Sequence, residues 1–172
     1  MTGAIPLMRL PVGVVIERRK AKSPWIDFVW RPVAVLPGVP EAERGARLGG
    51  DDERLMLYAG SAEVELFASD AAQYYDNLVS GAPGLWVIMR PVDGDPPYQV
   101  FSVTADPSEG EAYTEPGADL VEAVSMPDDI RAEIEAFVSQ HYVEEKFVKR
   151  QRSKADPEAL ARRGPLSKGE KR

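Results

Sequence analysis

The sequence predicts an α+β domain with a largely antiparallel sheet or partly closed barrel, a short helix, a C-terminal helix and a disordered basic tail. Short apolar and β-branched runs recur between turn residues, without the strand–helix alternation of parallel sheets. Charge is also divided: residues 1–145 contain 11 Lys and Arg against 25 Asp and Glu, whereas residues 146–172 contain 10 against 3. We therefore expect a single α+β domain over residues 1–150 and a disordered tail over residues 151–172, which have little to bury.

The first two strands are predicted from two apolar runs joined by a basic turn. Residues 12–17 and 25–36 are rich in β-branched residues, and the basic segment 18–24 contains a proline, so the runs are expected to pair as antiparallel strands. Pro32 has no amide hydrogen, which predicts a sheet edge or a bulge at this point. Residues 37–53, rich in glycine and proline, predict a long loop.

A hairpin with a two-residue turn at Gly60-Ser61 is the next prediction. Its register would place six apolar side chains on the core face, those of Leu55, Leu57, Ala59, Ala62, Val64 and Leu66. Tyr58, Glu63 and Glu65 would then lie on an opposite face that is at least partly wet.

The rest of the chain predicts three strands and two helices. Ser69-Asp70 is expected to cap a short helix that ends near Gly81. Residues 85–89 are apolar at every position and are expected to form the central strand, buried on both faces. Further strands are predicted over residues 98–104 and 119–124. Pro127 then opens the last helix in the first-turn position that proline tolerates best.

The composition excludes several kinds of chemistry. The chain has no cysteine, which excludes disulfides, thiol catalysis and cysteine-ligated metal sites and favours the cytoplasm. Its one histidine, His141, is spaced from the apolar residues of the last helix as a residue packed at the edge of the core would be. The acidic groups at 51–53 and 93–95 lack the spacing of a calcium loop. We expect no metal, no cofactor and no membrane span, and an enzyme is less favoured than a non-enzymatic protein.

Candidate binding residues gather at the first hairpin. They are Arg18, Arg19, Trp25, Trp30 and Arg31. Exposed aromatic residues beside arginine are enriched at protein interfaces. Trp25 and Trp30 are an odd number of residues apart, so one regular strand would place them on opposite faces and leave one exposed. The alternative interpretation is a solvated hairpin tip with tryptophans in the core.

Four parts of the sequence resemble the DUF3305 family, a bacterial family of unknown function. They are Pro-Val-Gly-Val-Val-Ile-Glu-Arg-Arg at 11–19, the Trp-x4-Trp-Arg-Pro run at 25–38, the segment with Glu63 and Glu65, and the closing blocks 121–127 and 141–150. Tyr142 stands where the resemblance leads us to expect a second histidine. Members often lie near genes for formate dehydrogenase and other molybdoenzymes, and this context implies an accessory role in oxidoreductase maturation.

These observations predict a non-enzymatic accessory or assembly protein that binds a protein partner, and leave its oligomeric state open. The acidic body would repel nucleic acid, so we do not expect the basic tail to bind a nucleic acid. The alternative is a small-ligand-binding or enzymatic domain with a pocket near Trp30, Arg31 and His141.

Overall fold

The computed structural model describes residues 3–114 and 117–143. These residues form two open antiparallel sheets and three helices. The strands are β1 (Met8–Lys20), β2 (Phe28–Pro37), β3 (Arg47–Gly50), β4 (Arg54–Leu66), β5 (Gly84–Pro91), β6 (Tyr98–Thr104) and β7 (Leu120–Ser125). The helices are α1 (Ala71–Leu78), α2 (Pro107–Ala112) and α3 (Asp128–His141), and a 3-10 turn at Ala68–Asp70 precedes α1. The α+β class is confirmed, whereas the predicted basic tail lies outside the described residues.

The first sheet has the strand order β2-β1-β4-β3 and begins with the predicted hairpin. β1 and β2 pair antiparallel, and their register shifts between Val15, which faces Ala34, and Ile16, which faces Pro32. The extra residue makes a bulge beside Pro32, and β2 is also an edge strand. Both expectations for this proline are met, because neither position requires an amide hydrogen from it.

The predicted hairpin at Gly60-Ser61 is wrong, since both residues lie inside the continuous strand β4. β4 pairs with β1 along its length, and a register shift opposite Val14 and Val15 leaves one extra residue on β4. A bulge of one residue exchanges the two faces of a strand as a two-residue turn does, so the six apolar residues still face the core. Gly60, with φ of 127°, adopts a conformation that favours glycine.

Residues 38–46 cover part of the outer face of the first sheet. The alternation of β4 places Tyr58 on that face, yet the side chain is buried. The loop is fixed to this position because Gly45 N–H donates to the Tyr58 carbonyl at 2.7 Å and Tyr58 N–H donates to the Ala46 carbonyl at 2.9 Å. The predicted long loop contains an edge strand, β3. The face opposite the core is partly wet, as expected, because Glu63 and Glu65 are exposed, whereas Tyr58 on the same face is buried.

The second sheet has the order β6-β5-β7, with the predicted central strand in its centre. Leu85, Val87 and Met89 face the core, and Ile88 on the opposite face is also buried. α2, which lies in a segment expected to be a polar loop, packs on Trp86 of the same strand. The Asp106 carboxylate begins α2 by accepting the Ser108 N–H at 2.9 Å.

The close approach of α2 to β5 leads to a prediction about Gly110. A Cβ at this position would overlap the Trp86 ring, so Gly110→Ala is expected to lower the free energy of unfolding by about 1–3 kcal/mol. Gly49→Ala is the matched control because no atom lies within 4 Å of the added Cβ. Urea unfolding of both variants tests this. Equal stability of the two variants would show that Trp86 moves aside without cost.

Asn77 links α1 to the edge of the second sheet. Its side-chain amide donates to the carbonyls of Gly84 at 2.8 Å and Ala105 at 3.0 Å, and its Oδ1 accepts the Gly84 N–H at 3.0 Å. The side chain is only 3% exposed. Asn77 thus completes the hydrogen bonding of backbone groups that have no strand partner at this point.

One hydrophobic core joins both sheets, α1 and α3. Tyr74 of α1 meets Phe137 of α3 edge to face, with ring centroids 6.0 Å apart. Burial raises the pKa of Tyr74 to about 12, so the phenol stays neutral while it accepts the Phe67 N–H at 3.0 Å. No helix within residues 3–114 and 117–143 is long and apolar enough to cross a membrane.

The two sheets lie edge to edge without joining. β6 lies beside β4, and β7 lies beside β2, but no β-ladder connects either pair. A cavity opens at the junction between β2 and β7.

Candidate binding surface

The tip of the β1–β2 hairpin exposes an aromatic and an aliphatic side chain. Ala21 N–H donates to the Asp27 carbonyl at 3.0 Å and closes the tip over residues 21–27. Trp25 is 91% exposed and Ile26 is 56% exposed. Trp25 precedes β2, whereas Trp30 lies within it and packs partly against the core. One tryptophan is exposed, as expected, because it lies in the turn and not because the two share a strand.

The predicted arginine pair is divided between the two faces of β1. Arg18 continues the core-facing row of the strand, and its guanidinium lies 4.4 Å from the centre of the Phe28 ring. Its Nε is buried and has no hydrogen-bond partner among the residues that the structure describes. Arg19, the next residue, points to the outer face and is half exposed. Only Arg19 of the two is therefore placed to contact a molecule on the outer face.

A buried carboxylate organises three arginines on that outer face. Glu17 is 1% exposed although it is a charged residue, and it directly follows the apolar residues 14–16 of β1. Its Oε1 lies 3.2 Å from Arg19 Nε and 3.7 Å from Arg31 Nε. Its Oε2 accepts a hydrogen bond from Arg54 Nε at 2.5 Å. We call these four residues the Glu17 cluster.

Strand register brings the Glu17 cluster together. Glu17 and Arg19 are two residues apart on β1, Arg31 of β2 is directly opposite Glu17, and Arg54 of β4 is directly opposite Arg19. One carboxylate among three guanidinium groups leaves two positive charges in excess. Each guanidinium group also carries two terminal nitrogens, which are hydrogen-bond donors of the kind that bind anions.

A cavity of about 760 Å³ begins at two of these arginines. We call it the β2–β7 trough, because one wall belongs to the first sheet and the other to β7. The lining consists of Val15, Arg31, Pro32, Val33, Ala34, Leu36, Leu48, Arg54, Met56, Glu122, Ala123, Val124 and Ser125. Most of it is apolar, with Arg31 and Arg54 on one wall and Glu122 on the other.

The structure does not gather the three residues of the alternative pocket at the trough. Arg31 lines the trough, but its neighbour Trp30 faces the core side of β2. His141 lies in the last turn of α3, where its ring packs on Phe137 with centroids 4.4 Å apart. This position agrees with the expectation of a residue packed at the edge of the core.

Comparison with known families places the chain. The model of the family described as "Protein of unknown function (DUF3305)" matches residues 11–151. The chain belongs to this family. The match includes the hairpin, the Glu17 cluster and the trough, so the DUF3305 region contains every candidate residue discussed above. No curated protein matches the chain, and no solved structure does.

Two members of the Glu17 cluster were missed in the sequence of this DUF3305 protein. Glu17 ends a β-branched run and is followed directly by basic residues, and a carboxylate at that point is a signal of a buried ion pair. Arg54 gives no such signal alone. It reaches Glu17 only because β4 pairs with β1, a pairing that the sequence pattern did not predict.

Asp51, in the first of the two acidic loops, has a structural role in this DUF3305 protein. Asp51 Oδ1 accepts the N–H groups of Glu53 and Arg54, both at 2.9 Å. The hydrogen bond from the Arg54 backbone, followed by that from Glu53, lowers the pKa of Asp51. Residues 3–114 and 117–143 contain no group of three or more His, Asp or Glu side chains arranged to hold a metal ion.

Proposed function

We propose that this DUF3305 protein is a non-enzymatic accessory protein of the cytoplasm that binds another protein through its first hairpin. The observation that supports this proposal is the exposure of Trp25, Ile26 and Val29 beside Arg19 and Arg31. We call these five residues the hairpin surface. Exposed aromatic and aliphatic residues next to arginine have the composition of an interface hot spot, where burial of the aromatic ring supplies most of the binding energy.

The charge of the hairpin surface indicates the chemistry of the partner. Residues 1–145 carry a large excess of acidic side chains, yet Arg19 and Arg31 carry more positive charge than Glu17 neutralises. A partner with acidic residues around an apolar patch would be attracted to this surface and repelled by the rest of the body. The resemblance described above leads us to propose maturation of a molybdoenzyme as the setting.

We expect a photo-crosslinker at position 25 to capture one defined partner in the native host. Benzoylphenylalanine replaces Trp25 in one variant and Phe101, another exposed aromatic residue on β6, in the control. The expected result is an adduct from position 25 that position 101 does not give, because only the first side chain would be buried in the interface. Mass spectrometry of the adduct names the partner.

Charge variants test the same surface independently. Arg19→Gln combined with Arg31→Gln is expected to reduce the adduct yield several-fold, with a matched control in Arg131→Gln, an exposed arginine paired with Glu135. Glutamine is used because a new carboxylate would repel Glu17. Identical adducts from positions 25 and 101, or none from position 25 in a folded variant, would refute the proposal. An adduct with a protein unrelated to molybdoenzymes would refute only the setting.

The alternative of a small-ligand-binding or enzymatic domain is favoured by one observation, the arginines on the wall of the β2–β7 trough. In this version Arg31 and Arg54 bind an anionic group while the apolar wall holds the rest of the ligand. Citrate and inorganic phosphate are suitable probes. A rise in unfolding temperature that Arg54→Gln abolishes would support this alternative over protein binding.

A further inference from the structure

The β2–β7 trough lies where the outer face of the first sheet meets β7, an edge strand of the second sheet. β2 is the last strand of the first sheet and β7 the last strand of the second, and the two strands run side by side without a ladder between them. Edge strands carry backbone groups that can pair with an added strand. Whether β7 can accept one depends on which of its amides already bond to β5.

The hydrogen-bonding phase of β7 follows from its two ends. Met126 N–H donates to the Pro83 carbonyl at 3.1 Å, so the next pair, Gly84 and Ser125, is a non-hydrogen-bonded pair. Asn77 confirms this, because it takes both the N–H and the carbonyl of Gly84. Two residues along, Ala123 opposite Trp86 is again a non-hydrogen-bonded pair.

Ala123 and Ser125 therefore direct their N–H and carbonyl groups away from β5 and toward the trough. Both residues line the trough and both are exposed. Within the described residues, no hydrogen bond engages these backbone groups. The spacing of two residues is the repeat at which an antiparallel or parallel strand would pair with them.

The opposite wall supplies charge. Arg31 and Arg54 project from the first sheet, and the one carboxylate among the described lining residues, that of Glu122, belongs to β7. An occupant with an acidic residue facing the arginines, a polar or basic residue near Glu122 and apolar residues between them would match both walls. The tail of this chain does not fit, because residues 146–172 contain 10 Lys and Arg against 3 Asp and Glu.

We propose that the β2–β7 trough binds an extended segment of a partner protein, which adds a strand to β7 and places an acidic side chain against Arg31 and Arg54. Backbone pairing with Ala123 and Ser125 would provide affinity, and the arginines would select the sequence. This inference rests on the proposed role in protein binding and names the part of the partner that enters the trough.

A library of random 12-residue peptides displayed on phage is the probe, with the full-length protein as target. We expect the selected peptides to combine an acidic residue with alternating apolar residues. Ala123→Pro removes the outward N–H without removing a β5–β7 hydrogen bond, so it should weaken binding of a selected peptide about tenfold. Ala123→Ser keeps that N–H and serves as the control. Arg31→Gln and Arg54→Gln should each weaken binding several-fold.

Amide exchange followed by NMR checks the geometry directly. In the free protein the Ala123 amide should exchange faster than those of Glu122 and Val124, which bond to β5, and a bound peptide should slow it. The proposal is overturned if no peptide is selected, if the selected peptides bind Ala123→Pro and both arginine variants normally, or if Ala123 stays unprotected in the complex.

Trp25→Ala separates this inference from the proposed function. Trp25 does not line the trough, so the variant should bind a selected peptide normally while losing partner capture at the hairpin surface. Crosslinks from position 25 without peptide binding would refute only the proposal that the trough binds a partner segment. Peptide binding at the trough without crosslinks from position 25 would refute only the proposal that the hairpin surface binds a partner.

Discussion

Asn77→Leu is expected to lower the free energy of unfolding by about 3–5 kcal/mol. The side chain bonds to the Gly84 N–H, the Gly84 carbonyl and the Ala105 carbonyl, and it is 3% exposed. Leucine fills a similar volume but leaves three buried backbone groups without a partner, each at a cost of about 1–3 kcal/mol, reduced where water enters. Urea unfolding followed by tryptophan fluorescence measures the difference.

Asp76→Ala is the control for this prediction, because Asp76 belongs to the same helix and is exposed. It should change the free energy of unfolding by less than about 0.5 kcal/mol. If the free energy of unfolding of Asn77→Leu lies within about 1 kcal/mol of the wild-type value, water replaces the side-chain amide. Asn77 is then not needed to hold α1 against β5. A loss confined to α1 would instead appear as faster amide exchange in that helix alone.

The contribution of Asn77 also shows which parts of the fold the sequence can predict. Apolar periodicity located β5, β6, β7 and α3, since each buries a continuous or regularly spaced set of side chains. Asn77 occupies an ordinary position in a short helix, and nothing local indicates that it bonds to residues 7 and 28 positions away. Contacts of this kind depend on tertiary arrangement, which periodicity does not contain.

The hairpin predicted at Gly60-Ser61 shows a second limit. A bulge and a two-residue turn exchange the faces of a strand identically, so the pattern of apolar residues fits both. Leu57 and Val64 were correctly assigned to the core face, whereas the chain was wrongly predicted to reverse its direction between them. The pairing of β4 with β1, which carries Arg54 to Glu17, was not predicted either.

The hairpin surface was accessible to prediction because it depends on neighbours in sequence. Trp25, Arg19 and Arg31 lie within thirteen residues of one another, in a segment that folds on itself. Arg18 was assigned to the same surface from its charge, but strand alternation turns it toward Phe28. The trough was not predictable, since it needs β7, more than eighty residues from β2, to lie at the edge of the first sheet.

Glu17→Gln is expected to lower the free energy of unfolding by about 3–5 kcal/mol, the cost of breaking a buried ion pair from one side. The amide would leave Arg19, Arg31 and Arg54 with their charges unbalanced at close range. Raising the salt concentration from 0.05 to 0.5 M should recover part of the loss, because the three guanidinium groups are about half exposed and their repulsion is screened.

Glu63→Gln makes the same chemical change in an exposed ion pair with Arg9, 3.9 Å away. It should lower the free energy of unfolding by less than about 0.5 kcal/mol. Arg54→Gln should cost less than Glu17→Gln, at about 1–2 kcal/mol, because two arginines would still neutralise the buried carboxylate. Urea unfolding at the two salt concentrations measures all three variants. Suppose instead that Arg54→Gln lowers the free energy of unfolding more than Glu17→Gln does. Glu17 is then stabilised mainly by its short contact with Arg54, and Arg19 and Arg31 contribute little to that stabilisation.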